Sequence, residues 1–418
     1  MIERRPPDVA DGTARSRRVL LYSHDTFGLG HLRRSRTIAH ALAGAHADVE
    51  VAIVSGSAVL DRYAFAEGVD TVRIPAVVKG RDGTYASLDA GVPLERVVAE
   101  RARIIARTAE EFRPDLVIVD KEPTGFHGEM LPALESAAAR GCRVVLGLRD
   151  VLDETARLIP EWERKGACAA LRRHYDEVWI YGVPRVHEPL AGMPIGAEIA
   201  DRTVYTGYLR RSLPDGWAAA RSAPPITQAP FLLVTPGGGG DGDGLIDWVI
   251  SAYEADPGIP LPSLIAFGPF VAAASRARFL ERIARLPGKL AAIDFDSEIE
   301  RLMARAAGVV AMGGYNTFCE ILSFDKRAIL VPRSEPRREQ TIRAEAAHAL
   351  GLARALLEED GRSPRRMAEA LRALPDQSEP SRIVVPGLLD GLEGIARRFG
   401  ALTAAPVPAP ALPQAACL

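Results

Sequence analysis

Cysteine is scarce and falls in no metal-binding arrangement. Cys142, Cys168, Cys319 and Cys417 make no C-x-x-C pair and no Cys/His spacing. That excludes zinc ribbons and a disulfide framework, and the four read as reduced thiols of a cytosolic protein. Lysine is short as well: five residues stand against 47 arginines. With the abundant alanine this reflects biased base composition, although arginine also suits bidentate contact with phosphate. Net charge is nearly absent, formally −2, which argues against a general nucleic-acid binder. No apolar run approaches the roughly 20 residues of a membrane-spanning helix. The polar stretch Met1 to Arg18 lacks the apolar core of a signal peptide. Short patches still leave room for peripheral membrane contact.

Two motifs are missing. No Gly-x-x-x-x-Gly-Lys-Ser/Thr occurs, which disfavours a Walker-type NTPase. The loop Asp25-Thr26-Phe27-Gly28-Leu29-Gly30-His31-Leu32-Arg33 lacks the third glycine of a dinucleotide fingerprint. The second apolar run ends Val54-Ser55-Gly56, without the acid that would hold a dinucleotide ribose. No nicotinamide or flavin cofactor is expected. Asp241-Gly242-Asp243 and Asp294-Phe295-Asp296 have the spacing of a metal-bridging pair, but two copies in one chain show how cheap the pattern is. No metal is expected.

What is present is a repeated alternation. Val19 to Ser23, Val49 to Ser55, Leu116 to Asp120, Val144 to Leu148 and Glu177 to Tyr181 are largely apolar runs separated by helix-length, Ala/Arg-rich sequence. Such runs suit strands buried on both faces of a parallel sheet. After a Pro/Gly-rich break the pattern restarts at Phe231 to Thr235 and continues to Ala328 to Val331. The fold class expected is α/β, with two Rossmann-like doubly wound domains facing a cleft. The boundaries expected are a disordered leader 1–17, a first domain 18–207, a linker 208–229, a second domain 230–385, a C-terminal helix 386–402 and a disordered tail 403–418. Ligands of such sheets sit beyond the carboxyl ends of the strands.

Three loops at those ends can carry chemistry. Pro236-Gly237-Gly238-Gly239-Gly240-Asp241 follows a strand and precedes a helix, so its amides can approach an anion unobstructed; a flexible turn is the bland reading. His31, at a helix start, is held neutral by the dipole and can accept a proton, or it merely caps and packs. Gly313-Gly314-Tyr315-Asn316-Thr317-Phe318-Cys319-Glu320 places Thr317 and Glu320 on one helical face, where a carboxylate can accept two ribose hydroxyls. The same two residues also spell a capping box, and alone the readings are balanced. The adjacent loop Arg333 to Gln340, polar at its own helix start, favours a ligand site.

These last residues resemble the donor-binding signature of GT-B glycosyltransferases, nearest to the MurG-like family 28 and related predicted glycosyltransferases. The similar segments are Gly313 to Glu320, Ile329 to Pro332 and Glu339-Gln340. The resemblance implies Gly314 and Thr317 at a diphosphate, Glu320 on a ribose, and Glu339 and Gln340 on the donor sugar; Gly313, in the same glycine turn, and Asn316, at the helix start facing phosphate, join the donor-binding set. Gly30 and Gly238 to Gly240 are similar to the family's two glycine loops. Arg210 or Arg211 would meet phosphate, and Phe295-Asp296 falls where the nucleobase is read. It departs at Met312, where many relatives have histidine, and in the first loop, where Gly28-Leu29-Gly30-His31 replaces Gly-Gly-Thr-Gly-Gly-His.

The implied activity is sugar transfer of the hexosyltransferase type, from a nucleotide diphosphate donor, with UDP expected, inverting and without a metal. His31 is the first choice of base, with Asp25 and Glu122 behind it. The acceptor is a hydroxyl of a glycan, lipid or small molecule and is not legible. The rivals are a UDP-sugar epimerase of the same build and a non-catalytic nucleotide-sugar-binding protein.

Overall fold

Continuous apolar runs are stable as strands only where helices cover both faces of the sheet, and the chain supplies a helix after most of its strands. The computed structural model describes residues 16–25, 30–79, 84–89, 91–213, 224–237, 240–268, 270–296 and 298–404. Gly238 and Gly239, most of the expected leader and tail, and the middle of the expected linker lie outside the described residues.

The first half contains β1 (Arg17–Ser23), α1 (Gly30–Ala45), β2 (Val49–Ser55), β3 (Val69–Arg73), β4 (Val77–Lys79), β5 (Tyr85–Ser87), α2 (Leu94–Phe112) and β6 (Leu116–Asp120). It continues with α3 (Leu131–Ala139), β7 (Arg143–Arg149), α4 (Thr155–Arg164), α5 (Ala167–His174), β8 (Glu177–Tyr181), α6 (Ala197–Ala200) and β9 (Thr203–Tyr205). The second half runs β10 (Leu232–Thr235), α7 (Asp243–Ala255), β11 (Ser263–Ala266), α8 (Ala273–Ala284), β12 (Leu290–Ile293), α9 (Glu300–Arg305) and β13 (Gly308–Ala311). Then come α10 (Tyr315–Ser323), β14 (Ala328–Leu330), α11 (Glu339–Ala349), β15 (Arg354–Ala355), α12 (Pro364–Ala373) and α13 (Gly391–Thr403).

Two parallel sheets result, in the order β3-β2-β1-β6-β7-β8-β9 and β12-β11-β10-β13-β14-β15, with β4 and β5 forming a separate antiparallel hairpin. Every residue of β6, β8, β10 and β13 is buried, as two-sided cover requires. In each sheet the winding direction reverses at one place: between β1 and β6, and between β10 and β13. Doubly wound sheets bind their ligands at that reversal, beyond the strand ends.

The halves share an apolar core in which Tyr208 stacks on Tyr315 with ring centroids 6.0 Å apart and meets Phe318 edge-on at 5.2 Å. The last helix returns to the first half. α13 packs against α1, and Arg398 pairs with Glu177 at the start of β8. Where the chain crosses back, Gly207 has φ +97° and a Cβ there would collide with the Gly387 carbonyl, while a Cβ on Gly391 would lie 2.6 Å from the Tyr208 carbonyl oxygen. Only glycine permits this crossing.

Candidate active site

The two reversals face each other across a cleft of about 300 Å³. Its second-sheet wall is mostly backbone. After β13, Gly313 turns with φ +78°, a conformation costly for any other residue, and Gly314 serves as the N-cap of α10. Gly314 offers no side-chain cap, so the first-turn amides of α10, which a helix leaves without internal acceptors, keep their hydrogen-bonding capacity for a ligand. After β10, Gly237 also has positive φ, and a Cβ on it would come 3.8 Å from the Thr317 hydroxyl. Gly237, Gly314 and Thr317 therefore leave between them a small space without side chains. The dipole of α10 makes that space favourable for an anion.

The capping-box reading of Thr317 and Glu320 does not survive this geometry. Thr317 is the third residue of α10, not its cap, and the Glu320 carboxylate accepts from the guanidinium of Arg33 on α1 rather than from a backbone amide. Arg33 also donates to Glu300 of α9 at 2.5 Å. Burial raises the Glu320 carboxyl above its ordinary value, with Arg33 opposing the rise and Glu300 adding to it. Glu320 lines the cleft with its carboxylate already engaged by the opposite half.

Further along the same wall, Arg333 donates to Asp241 and, at 3.0 Å, to Glu339 Oε1. The other oxygen of Glu339 is buried with no hydrogen-bond partner. Burial works against ionisation of Glu339, but Arg149 and Arg333 hold it below the usual carboxylate range. A dry, charged oxygen beside a cleft asks for a hydrogen-bond donor. The side-chain oxygen of Gln340 meanwhile accepts from the Arg333 amide at 3.3 Å. Phe295, Asp296 and Met312 also border the cleft.

The first-sheet wall is made of long polar side chains. His31, in the first turn of α1, places Nδ1 2.5 Å from Asp120 Oδ2, where β6 ends. Arg34, one turn along α1, donates through Nε to Asp120 Oδ1 at 3.0 Å. Burial disfavours charge on Asp120, yet Arg34 and His31 hold it ionised, well below the ordinary range. Burial pulls His31 down to about 4, against the opposing pull of Asp120. A carboxylate acceptor at Nδ1 puts the ring proton there and leaves Nε2 as the basic nitrogen. Lys121 and Arg149, just after β6 and at the end of β7, complete this wall.

Several expected site residues are placed elsewhere. The Asp25 carboxylate is buried behind the wall, accepting from the Leu32 amide at 3.1 Å and the Ser55 hydroxyl at 2.6 Å. It fastens the start of α1 and is not free to take a proton from an acceptor. Glu122 accepts from Lys165 at 2.9 Å and does not border the cleft. Arg210 is exposed away from it. Arg211 is buried, reaching Thr37 and, at 2.7 Å, the Asn316 amide oxygen, so it bolts α1 to α10 instead of meeting a phosphate. Asn316 donates back to the Gly30 carbonyl at 3.1 Å, which carries Gly30 to the cleft edge. Gly240 is described but does not border the cleft, and Gly238 and Gly239 lie outside the described residues.

Asp120 was missed, although an acid ending an apolar run is visible in the sequence; its meaning depends on β6 lying beside β1. Beneath the cleft, Asp150 and Arg343 form a fully buried pair between the halves, at 2.6 and 2.7 Å. Tyr208 adds a hydroxyl to Asp150 at 2.6 Å, and Arg343 also donates to the Gly313 carbonyl at 2.9 Å. That pair sets the glycine turn of one half against the other.

Residues 273–382 match the glycosyltransferase family 28 C-terminal domain, a span that includes Gly313 to Glu320 and Glu339-Gln340. No curated protein matches the chain in sequence. The calicheamicin glycosyltransferase CalG4 superposes with a TM-score of 0.58 at 18% identity, over 94% of this chain and 100% of CalG4. MurG of Acinetobacter baumannii does so at 0.50 and 14%, over 91% and 95%. A UDP-N-acetylglucosamine 2-epimerase reaches 0.59 at 12%, over 93% and 96%. At these identities the likeness is one of fold. With two facing doubly wound sheets the chain has the GT-B fold, and its second half carries a segment that matches the glycosyltransferase family 28 C-terminal domain.

Proposed function

We propose that the protein transfers a sugar from a UDP-sugar to an acceptor hydroxyl, with inversion and without a metal. The observation that carries this reading is the opposition of two reversals across one cleft. The His31–Asp120 pair stands on one side, and the glycine cradle at the start of α10 on the other.

In this reading the diphosphate lies between Gly237 and the amides of α10, with Thr317 beside it. Phe295 and Asp296 border the nucleobase, Glu320 meets the ribose once Arg33 gives way, and the unpartnered oxygen of Glu339 accepts from a sugar hydroxyl. The acceptor hydroxyl gives its proton to His31 Nε2 as its oxygen forms a bond to the anomeric carbon. The bond from that carbon to the diphosphate breaks on the opposite face, and its electron pair leaves with the nucleotide. Asp120 stabilises the imidazolium that results. Charge gathering on the diphosphate is met by the helix dipole and fixed amides, which need no reorganisation during the reaction.

The decisive experiment is calorimetric titration with UDP and a panel of UDP-sugars, followed by a mass-shift screen of acceptors. Binding of UDP that is lost in Gly314→Val, with transfer lost in His31→Ala, is the expected outcome. Failure of any nucleoside diphosphate to bind would sink the proposal. An altered sugar nucleotide with no acceptor consumed would move the assignment to epimerisation.

A further inference from the structure

Resting on the transfer reading, we infer that Lys121 and Arg149, with Arg337 beside them, form an anion subsite on the acceptor side of the cleft. The acceptor hydroxyl would therefore belong to a molecule carrying a phosphate or carboxylate. The three cations come from three separate elements, the ends of β6 and β7 and the loop before α11, and all border the same cavity.

Arg149 is the informative member. Its Nε is buried with no hydrogen-bond partner, and it takes part in no ion pair among the described residues. The carboxylates around it are engaged in part: Asp120 serves His31 and Arg34, Asp150 serves Arg343 and Tyr208, and Glu339 gives one oxygen to Arg333 while its other, unpartnered oxygen acts on Arg149 through space without an ion pair. Lys121 is only loosely matched, with Nζ 3.8 Å from Glu122, a carboxylate that Lys165 holds at 2.9 Å. Arg337 is shared with Glu161 at 2.8 Å and lies 3.7 Å from Asp153. Three half-buried cations around one cavity, one with an unpartnered buried Nε and the others only partly matched by carboxylates, favour an anion that arrives to pair with them.

Two further facts point the same way. The Lys121 backbone has φ +69°, a strained conformation for a residue with a side chain, of the kind retained where function needs it. Burial, with Arg337 and Arg149 adding to it, pulls the Lys121 ammonium down to about 8. An incoming phosphate or carboxylate would raise it again. The proposed diphosphate cradle stands at the ends of β10 and β13, whereas Lys121 and Arg149 stand at the ends of β6 and β7 on the opposite wall, with Arg337 coming from the loop before α11. Lys121 instead adjoins Asp120, so the subsite flanks the base where an acceptor hydroxyl must sit.

The test uses the full chain with UDP held saturating, so that the diphosphate cradle is filled, and titrates inorganic phosphate or acetate by calorimetry. Wild type and the surface control Arg365→Gln should bind one of these anions saturably. Lys121→Met and Arg149→Gln should each weaken that binding by about tenfold or more, while UDP affinity stays unchanged. Arg149→Lys, which keeps the charge, should retain most of it. Tighter phosphate than acetate marks a phosphorylated acceptor, and the reverse order a carboxylated one. Absence of saturable anion binding, or equal binding by the variants, would overturn the proposal. So would a loss of UDP affinity in the variants, which would assign the cations to the donor. A protein that binds phosphate through Arg149 but binds no UDP would instead refute the donor reading alone.

Discussion

The two walls of the cleft are built from different materials. The wall after β10 and β13 presents glycines and the open start of α10, so its chemistry is carried by amides whose positions are fixed by backbone geometry. The wall after β1, β6 and β7 presents His31, Arg34, Lys121 and Arg149, long side chains aimed from three strand ends. A backbone wall can recognise one constant group, a diphosphate, and tolerates little change. A side-chain wall can be respecified one residue at a time. Under the proposed transfer reaction, the contrast separates where donor and acceptor preferences would be written.

If that division is right, substitutions on the two walls should separate kinetically. His31→Ala should lower kcat by about 10²- to 10⁴-fold, with UDP affinity unchanged in calorimetry; a matching loss of UDP affinity would merge the two walls. Asp150→Ala breaks the pair that sets the walls against each other. It should cost about 3–5 kcal/mol in urea unfolding, because the buried Arg343 is left uncompensated. Replacing both partners by apolar residues should recover much of that loss. On the backbone wall, Glu339→Gln should raise the donor KM by about tenfold with a smaller effect on kcat; an effect on kcat alone would place Glu339 at the reacting atoms instead.

The smallest effect is in pH. His31 stands at about 4 in the folded chain against an ordinary 6.5, so the acid limb of kcat/KM should fall near pH 4. Between those values the unfolded chain binds a proton that the folded chain refuses. Stability should thus decline as pH drops from 6.5 toward 4 and be complete above 6.5. Unfolding midpoints at pH 7 and 4.5 should move closer together in His31→Asn; equal pH sensitivity in the variant would assign the decline to the other histidines that burial depresses, among them His24 and His40.

The backbone wall was legible in the sequence because its parts are contiguous. A strand, a glycine turn and a helix start fall within Gly308 to Glu320, and Glu339-Gln340 follows one strand later. The competing cap could be dismissed only when α10 proved to begin at Tyr315, which moves Thr317 past the cap. Of the other wall only Gly30 and His31 were legible, because its remaining residues are far apart in the chain and meet through sheet order. Asp25 and Glu122 flank the correct strand ends, but a one-residue step separates Glu122 from Lys121 and two steps separate it from Asp120. That offset decides whether a side chain faces the cleft or a neighbouring lysine. Arg210 and Arg211 illustrate the same sensitivity, one turned to solvent and the other locked between α1 and α10.

The return of the last helix has a mechanical consequence. The chain passes between the halves at Gly207-Tyr208 and again at Gly387 to Gly391, and the two passages touch: the Tyr208 amide donates to Leu388 at 2.8 Å, and the Gly391 amide to Tyr208 at 3.2 Å. Two covalent connections meeting at one spot act as a pivot. Together with the buried Asp150–Arg343 pair, this crossing resists lateral slip or separation of the halves, which keeps His31 opposite α10.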